Sequence, residues 1–257
     1  MDRSEHVQGA MMIHLQQVFR RMMILGLFIL VAGLAGCASM KTAPVYPTNT
    51  PMLTPDYSNY WLRKQPCAAP CWEGITPGVT TYKEALKLLE QNSSATNVKL
   101  TLPEEIHWDW RGTNNGGGEL RFDAWAEKPV IQSIVVGLPE PVKLKDVIAA
   151  FGYPSHVSVD AEEGADIGTG MYYGIHLYYI PSGFYFDLYE DVDGKSIKPV
   201  ISPETEIGAI IFFVPSMDGL HKAYVPKNEN PIPWQGTFDF DTYCKLQYGS
   251  EADFYCQ

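Results

Sequence analysis

The chain has 257 residues, 46% of them hydrophobic and 19% charged, so it can bury a core and is not a disordered tail. Its formal net charge of −11 excludes the basic face with which nucleic-acid-binding proteins neutralise phosphates. The only hydrophobic run long enough to enter a membrane is near the N-terminus, which excludes a protein with several membrane spans.

The N-terminal region has the pattern of an export signal. Arg20 and Arg21 precede an apolar run over 22–36, and about 15 apolar residues after a basic pair suit a signal peptide but are few for a spanning helix. The run ends in Leu-Ala-Gly followed by Cys37, which resembles the bacterial lipobox. The resemblance implies cleavage of a lipoprotein signal peptide, residues 1–36, and lipidation of Cys37. An uncleaved anchor helix is the alternative.

An acylated Cys37 would hold the folded remainder at a membrane and outside the cytoplasm. Ala38 follows the cysteine, where the family rule reads aspartate as inner-membrane retention, so export to an outer membrane is permitted. The predicted location is therefore the bacterial cell envelope. The predicted partners are the membrane, through the lipid, and an envelope protein, with no nucleic acid.

Residues 37–66 are predicted to form a tether behind the lipid. Four prolines recur between residues 44 and 55 among threonines, and such segments favour extended, polyproline-like conformations. The alternative is an ordered arm that packs on the domain through Tyr60 and Trp61.

Four further cysteines predict disulfides, because an even number in an exported chain usually forms a disulfide framework. Of the three possible pairings, Cys67 with Cys71 and Cys244 with Cys256 is favoured, since each pair is close in sequence. A rival pairing would tie the N-terminal edge of the domain to its C-terminus. A redox or zinc site is disfavoured, because no CxxC or HxxxH spacing accompanies the first pair.

The remainder of the chain is predicted to contain an internal repeat, whose first unit covers 67–140. Thr81 and Glu84 have the spacing of a capping box, and apolar residues at helical spacing extend the helix to about Gln91. The Gly-rich segment around 116–118 is interpreted as a turn. The predicted strands of this unit lie at 106–110, 120–124 and 130–136.

The second unit, over 141–257, repeats the order of a helix and then strands, with a C-terminal extension. Its helix covers 142–151 and ends at Gly152, which suits a left-handed cap. The sequence therefore predicts an α+β fold of two tandem helix-plus-antiparallel-sheet units in two layers. The predicted strands of this unit lie at 172–180, 184–188 and 207–214.

The motif Thr76-Pro77-Gly78, followed by the Thr81 capping box and a sheet, is similar to the small lipoprotein of the outer-membrane β-barrel assembly machine. It also resembles the tandem-repeat β-lactamase-inhibitor-protein fold. The string from Pro66 to Gly78 more nearly resembles uncharacterised bacterial lipoproteins. These resemblances imply a two-layer fold with protein-binding uses and carry no known activity.

No motif for a nucleophile elbow, a zincin or a P-loop is present. The histidines are scattered one per element, so no metal site and no cofactor are predicted, and the chain is not expected to be an enzyme. Ser155 and His156 lie in one predicted loop with Asp160, and Ser155, His156 or paired acidic residues would be the catalysts of the alternative function. That alternative is a small envelope hydrolase acting on cell-wall or extracellular polymer.

Trp108 and Trp110 share one face of a predicted strand. Core packing is the ordinary interpretation of such a pair. The sharper hypothesis is an exposed aromatic face that binds a partner protein or glycan, since tryptophan anchors interfaces. With these two residues as candidate contacts, we predict a lipid-anchored, non-catalytic binding or scaffold module.

Overall fold

The computed structural model of the protein describes most of the chain from residue 60 onward. Cys37, the apolar run before it and nearly all of the tether lie outside the described residues, so the predictions made for them stay predictions. The described residues are 60–101, 103–112, 116–163, 171–189, 191–192, 195–196, 198–223 and 230–256.

Antiparallel strands dominate the described residues. The strands are β1 (Ala95–Thr101), β2 (Glu105–Trp110), β3 (Gly117–Phe122), β4 (Ile131–Lys143), β5 (His156–Glu163), β6 (Met171–Tyr179), β7 (Phe184–Tyr189), β8 (Asp191–Val192), β9 (Lys195–Ser196), β10 (Glu206–Phe213) and β11 (Ile232–Pro233).

The helices are short. In the part of the chain that the structure describes, none is long and apolar enough to cross a membrane. They are α1 (Tyr82–Gln91), α2 (Leu144–Phe151), α3 (Met217–Lys222), α4 (Phe240–Tyr248) and α5 (Ala252–Tyr255), with 3₁₀ turns at Ile180–Ser182 and Gly249–Glu251.

Among the described residues, nine strands form one continuous sheet in the order β1-β2-β3-β4-β10-β7-β6-β5-β11, and β8 pairs with β9 separately. The prediction of two tandem helix-plus-sheet units is therefore wrong. β4 crosses the predicted boundary at residue 140 and pairs antiparallel with β10, from Ser133 opposite Phe213 to Lys143 opposite Glu206. Two separate sheets would each leave a strand edge unpaired here, and the pairing of β4 with β10 satisfies those backbone groups.

The main core lies on one face of this sheet, which we call the helix-covered face. In β2, Ile106 and Trp108 are buried there, whereas the alternate residue His107 points to the opposite, outer face. Helices α1, α2 and α4 contribute to the same core, for example through Leu89 and Tyr243. The outer face carries a smaller apolar cluster around Tyr178, Phe213 and Leu220 of α3.

Both predicted helices are confirmed, but the second begins at Leu144 and not at residue 142, because β4 continues to Lys143. The Thr81 hydroxyl accepts a hydrogen bond from the Glu84 backbone N–H, and the Glu84 carboxylate accepts one from the Thr81 N–H at 2.9 Å, which completes the capping box. Helix α2 ends at Gly152, whose φ of 82° is a conformation that favours glycine.

Two strands replace segments that were interpreted as polar or as loop. The region from 92 to 104 contains β1. The predicted loop with Ser155, His156 and Asp160 is mostly strand, because β5 begins at His156. In β5, Val157 and Val159 enter the helix-covered core, while the alternating residues His156, Ser158 and Asp160 are polar and lie on the outer face. Because every second residue is polar, this strand is easily mistaken for a loop.

Both disulfides follow the local pairing. Cys67 pairs with Cys71 at a Cα–Cα distance of 5.7 Å, and Cys244 pairs with Cys256 at 5.9 Å. The second bond fastens the C-terminal segment to α4, whose Cys244 is fully buried in the core.

Trp61, which the sequence places in the tether, is part of the core at 5% exposure. Its ring stacks on Phe151 at 5.6 Å between centroids and meets Phe184 edge-on at 5.5 Å. At Trp61 the chain is therefore an ordered arm packed on the domain, which is the alternative prediction for this segment.

Candidate functional site

The two tryptophans predicted to bind a partner are core residues, 2% (Trp108) and 5% (Trp110) exposed, so the exposed aromatic face is a wrong prediction for them. Trp108 stacks on Trp72 at 5.1 Å, and the indole of Trp110 donates to the Gly137 carbonyl at 2.6 Å. The reason lies opposite Trp108, where Gly118 leaves room for the ring: a Cβ on Gly118 would come within 2.1 Å of it. Gly118, which the sequence places in a turn, is thus a residue of β3 whose lack of a side chain makes space for Trp108.

Ser155 and His156 are neighbours, but their hydrogen bonds do not activate the serine. The Ser155 hydroxyl donates to the Tyr178 carbonyl at 2.9 Å and accepts from the Ile180 N–H at 3.1 Å. The His156 Nδ1, 3.1 Å from the same oxygen, must then be the donor, because the only hydroxyl proton is already engaged. Burial also lowers the pKa of His156. A base that removes the serine proton is not formed here, and Asp160 points to another histidine.

That histidine, His176 of β6, lies between carboxylates from both neighbouring strands on the outer face. Its Nδ1 is 2.5 Å from Asp187 Oδ1 of β7, and its Nε2 is 2.6 Å from Asp160 Oδ2 of β5. Tyr178 stacks beside the ring at 6.1 Å and shares a 2.9 Å hydrogen bond with the Ser158 hydroxyl. His176 itself is only 6% exposed.

Burial alone disfavours a charged His176 ring, but the hydrogen bonds to Asp160 and Asp187 outweigh it and raise the pKa of His176 to about 10. At neutral pH the ring is therefore an imidazolium that donates from both nitrogens. A group that keeps its proton so firmly is a poor general base. We assign the Asp160–His176–Asp187 row to holding β5, β6 and β7 together.

A second histidine lies between carboxylates on the same outer face, in what we call the β2–β3 cluster, which consists of Glu105, His107, Glu119 and Arg121. His107 Nε2 is 3.0 Å from Glu105 Oε2, and its Nδ1 is 3.8 Å from Glu119 Oε2. The Arg121 guanidinium contacts both carboxylates, with Nη2 3.4 Å from Glu105 Oε1. These side chains are 20–34% exposed, so solvent reaches the cluster.

A third group of side chains, the aromatic patch of Tyr153, Trp234 and Phe238, lies beyond the C-terminal end of α2. Tyr153 stacks on Trp234 at 5.5 Å with the rings 12° apart, and Trp234 contacts Phe238 at 4.7 Å. Tyr153 is 61% exposed, which is unusual for an aromatic ring held in a stack.

The backbone under the patch is tightly held. The Trp234 N–H donates to the Ser155 carbonyl at 3.0 Å. The buried Tyr243 phenol accepts from the Gln235 N–H at 2.9 Å and donates to the Thr237 carbonyl at 3.0 Å. Burial raises the pKa of Tyr243, so the phenol keeps the proton that it donates.

A cavity of about 500 Å³ adjoins the patch. Its lining includes Lys198, whose ammonium donates to the Asp241 carboxylate at 2.8 Å and to the Cys256 carbonyl at 2.6 Å. Phe238 belongs both to the patch and to the lining of the cavity. Exposed aromatic rings beside a concave surface are typical of an interface anchor and its pocket.

Sequence reasoning missed both the patch and the β2–β3 cluster. The patch joins Tyr153 to two aromatic residues about 80 positions away, and nothing in the spacing shows that β11 pairs with β5. The cluster had a partial signal, because Glu105 and His107 alternate on one strand. Its other half, Glu119 and Arg121, depends on the register between β2 and β3.

In comparisons with known proteins, no family model, no curated protein and no solved structure matches the chain.

Proposed function

We propose that this protein is a lipid-anchored lipoprotein of the bacterial cell envelope that binds another envelope protein without catalysing a reaction. Cys37 would carry the lipid, the proline-rich segment would act as the spacer, and the aromatic patch would contact the partner. The observation that carries the binding role is Tyr153, 61% exposed yet stacked on Trp234.

Three properties of the patch support a role in binding. Tyrosine and tryptophan provide large contact areas at a low cost in side-chain entropy, which is why they dominate the energy of protein interfaces. The rings are already held in place by the hydrogen bonds of Gln235 and Thr237 to Tyr243, so little order has to be gained on binding. The neighbouring cavity offers a place for a side chain of the partner.

The alternative function, an envelope hydrolase, is less well supported, because Ser155 and Asp160 make hydrogen bonds that do not suit a catalytic serine. The Ser155 hydroxyl donates to a backbone carbonyl, and Asp160 is hydrogen-bonded to His176 instead of His156.

The two disulfides support the proposed location, because they suit a domain that works outside the cytoplasm, where thiols are oxidised.

Site-specific photo-crosslinking tests the proposal. A photoreactive phenylalanine analogue replaces Tyr153 in the full chain, expressed at its native level in the bacterium that encodes it. We expect one discrete crosslinked envelope protein, and Trp234→Ala in the same chain should reduce its yield severalfold because the stack under residue 153 is lost.

Trp125 provides the matched control position. It is 84% exposed and lies in the turn between β3 and β4, away from the patch. The same analogue at residue 125 should not capture the partner. No crosslink at residue 153, or the same products from both positions, would contradict the proposal.

A further inference from the structure

We propose that the β2–β3 cluster is a binding site for a divalent transition-metal ion of the zinc class, with Glu105, His107 and Glu119 as ligands. This inference is independent of the aromatic patch and of the proposed function. It rests on the placement of three metal-ligating side chains on two paired strands.

The strand register brings the ligands together. His107 faces Glu119 directly across β2 and β3, and Glu105 precedes His107 by two residues on the same face of β2. One ligand atom from each of the three residues lies within 4.8 Å of the other two. Strands hold their side chains at fixed spacing, so the site is largely preformed.

The chemistry of the three side chains suits zinc and its neighbours in the first transition row. Imidazole nitrogen and carboxylate oxygen bind Zn²⁺ at about 2.0–2.2 Å. The His107 Nε2 to Glu105 Oε2 distance of 3.0 Å is close to the separation of two ligands on one ion. The 3.8 Å contact of Glu119 is to the other ring nitrogen, Nδ1. One ion binds only one of these nitrogens, so one carboxylate has to turn around the edge of the ring, and the three ligand atoms start within 4.8 Å of one another.

Arg121 is the competing cation. Its guanidinium contacts both Glu105 and Glu119, so it neutralises the same carboxylates that the ion would bind. Metal binding therefore has to displace Arg121, which 29% side-chain exposure permits, because the guanidinium can turn into water. This competition yields an uncommon prediction, that removal of a native side chain improves metal binding.

The site also has an open side. His107 lines a cavity of about 330 Å³ together with Asn97, Lys99 and Asp109. An ion bound to three protein ligands with open space beside His107 would keep a coordination position for water, as in zinc sites that exchange a ligand. The sequence predicted no metal site, because its histidines are scattered and the acidic partners are assembled only by the sheet.

Calorimetry of the full chain, purified in detergent without a histidine tag and titrated with Zn²⁺ alone, tests the inference. We expect one saturable site per chain. His107→Gln should weaken binding by at least about tenfold, whereas Arg121→Gln should strengthen it severalfold. His156→Gln, a histidine on the opposite part of the sheet, is the matched control and should leave the affinity unchanged.

Histidine ring signals in NMR spectra provide a second measurement in the unmodified chain, which does not depend on a variant that folds. Addition of Zn²⁺ should shift the His107 ring signals before those of any other histidine in the described part of the chain. Absence of saturable binding, equal binding by His107→Gln and the unmodified chain, or weaker binding by Arg121→Gln would each overturn the inference. In those cases the cluster is an ion-pair network that only stabilises the sheet.

Discussion

Two histidines on the outer face of the same sheet each lie between two carboxylates, and their surroundings separate their roles. His176 is 6% exposed and receives one carboxylate from each neighbouring strand, with no arginine in the row. The His107 side chain is 32% exposed and shares its two carboxylates with Arg121. The residue types are nearly the same, but burial and the competing cation differ.

The difference shows how one arrangement can serve stability or binding. The buried His176 lies between Asp160 and Asp187 and is held as an imidazolium by both carboxylates, so it cannot be removed without cost. In the β2–β3 cluster the carboxylates are paired with Arg121 in contact with solvent, so the guanidinium can be exchanged for an ion with little loss of stability.

The largest expected effect follows from removal of the buried charge. His176→Gln leaves the half-buried carboxylates of Asp160 and Asp187 without their counter-charge. We expect the free energy of unfolding to fall by about 3–5 kcal/mol, measured by urea denaturation. A loss below about 1 kcal/mol would mean that the Asp160–His176–Asp187 row does not hold the strands.

The pH dependence of stability separates the two histidines. Because the folded-state pKa of His176 is raised from 6.5 to about 10, its contribution is complete below pH 6.5 and is lost as the pH rises toward 10. We expect the unmodified chain to lose stability in that range with a slope of at most about 1.4 kcal/mol per pH unit, as for the release of one proton. His176→Gln should remove this slope, whereas His107→Gln should keep it.

A smaller effect is expected from removal of one carboxylate of the buried row. Asp187→Asn keeps the shape of the side chain but removes one charge-assisted hydrogen bond to His176, at a cost of about 2 kcal/mol. Glu105→Gln is the equivalent change at His107, because the Glu105 carboxylate lies 3.0 Å from its Nε2. Similar losses in the two variants, compared by urea denaturation, would remove the distinction between the two rows.

The smallest expected effect is that of His107→Gln. Its contacts are partly exposed, and exposed ion pairs contribute at most about 1 kcal/mol. We therefore expect a decrease in unfolding free energy below about 1 kcal/mol in metal-free buffer. A loss comparable to that of His176→Gln would show that the β2–β3 cluster is as structural as the buried row.

Local chemistry predicted the helices well. The hydrogen bonds of Thr81 with Glu84 and the glycine at 152 act within a few residues, so their spacing in the sequence is sufficient. The order of a helix followed by strands also occurs twice along the chain. The single sheet was missed because the pairing of β4 with β10 joins residues about 70 positions apart.

The sites depend on the same distant pairings. Trp108 is buried because Gly118 lies opposite it, and Tyr153 is stacked because the segment with Trp234 returns beside Ser155. Each of these contacts follows from strand register, which a single sequence specifies only weakly where polar and apolar residues alternate. The sequence therefore indicated which residue types are available and could not show which of them meet.

The central claim is that Cys37 is acylated and that the folded domain is held by this lipid outside the cytoplasm. Metabolic labelling with an alkyne analogue of palmitate tests it most directly, with the unmodified chain and Cys37→Ser compared in the bacterium that encodes the protein. We predict a labelled, membrane-bound protein that lacks residues 1–36, and no label on Cys37→Ser. An unlabelled protein that retains its N-terminal segment would contradict the account.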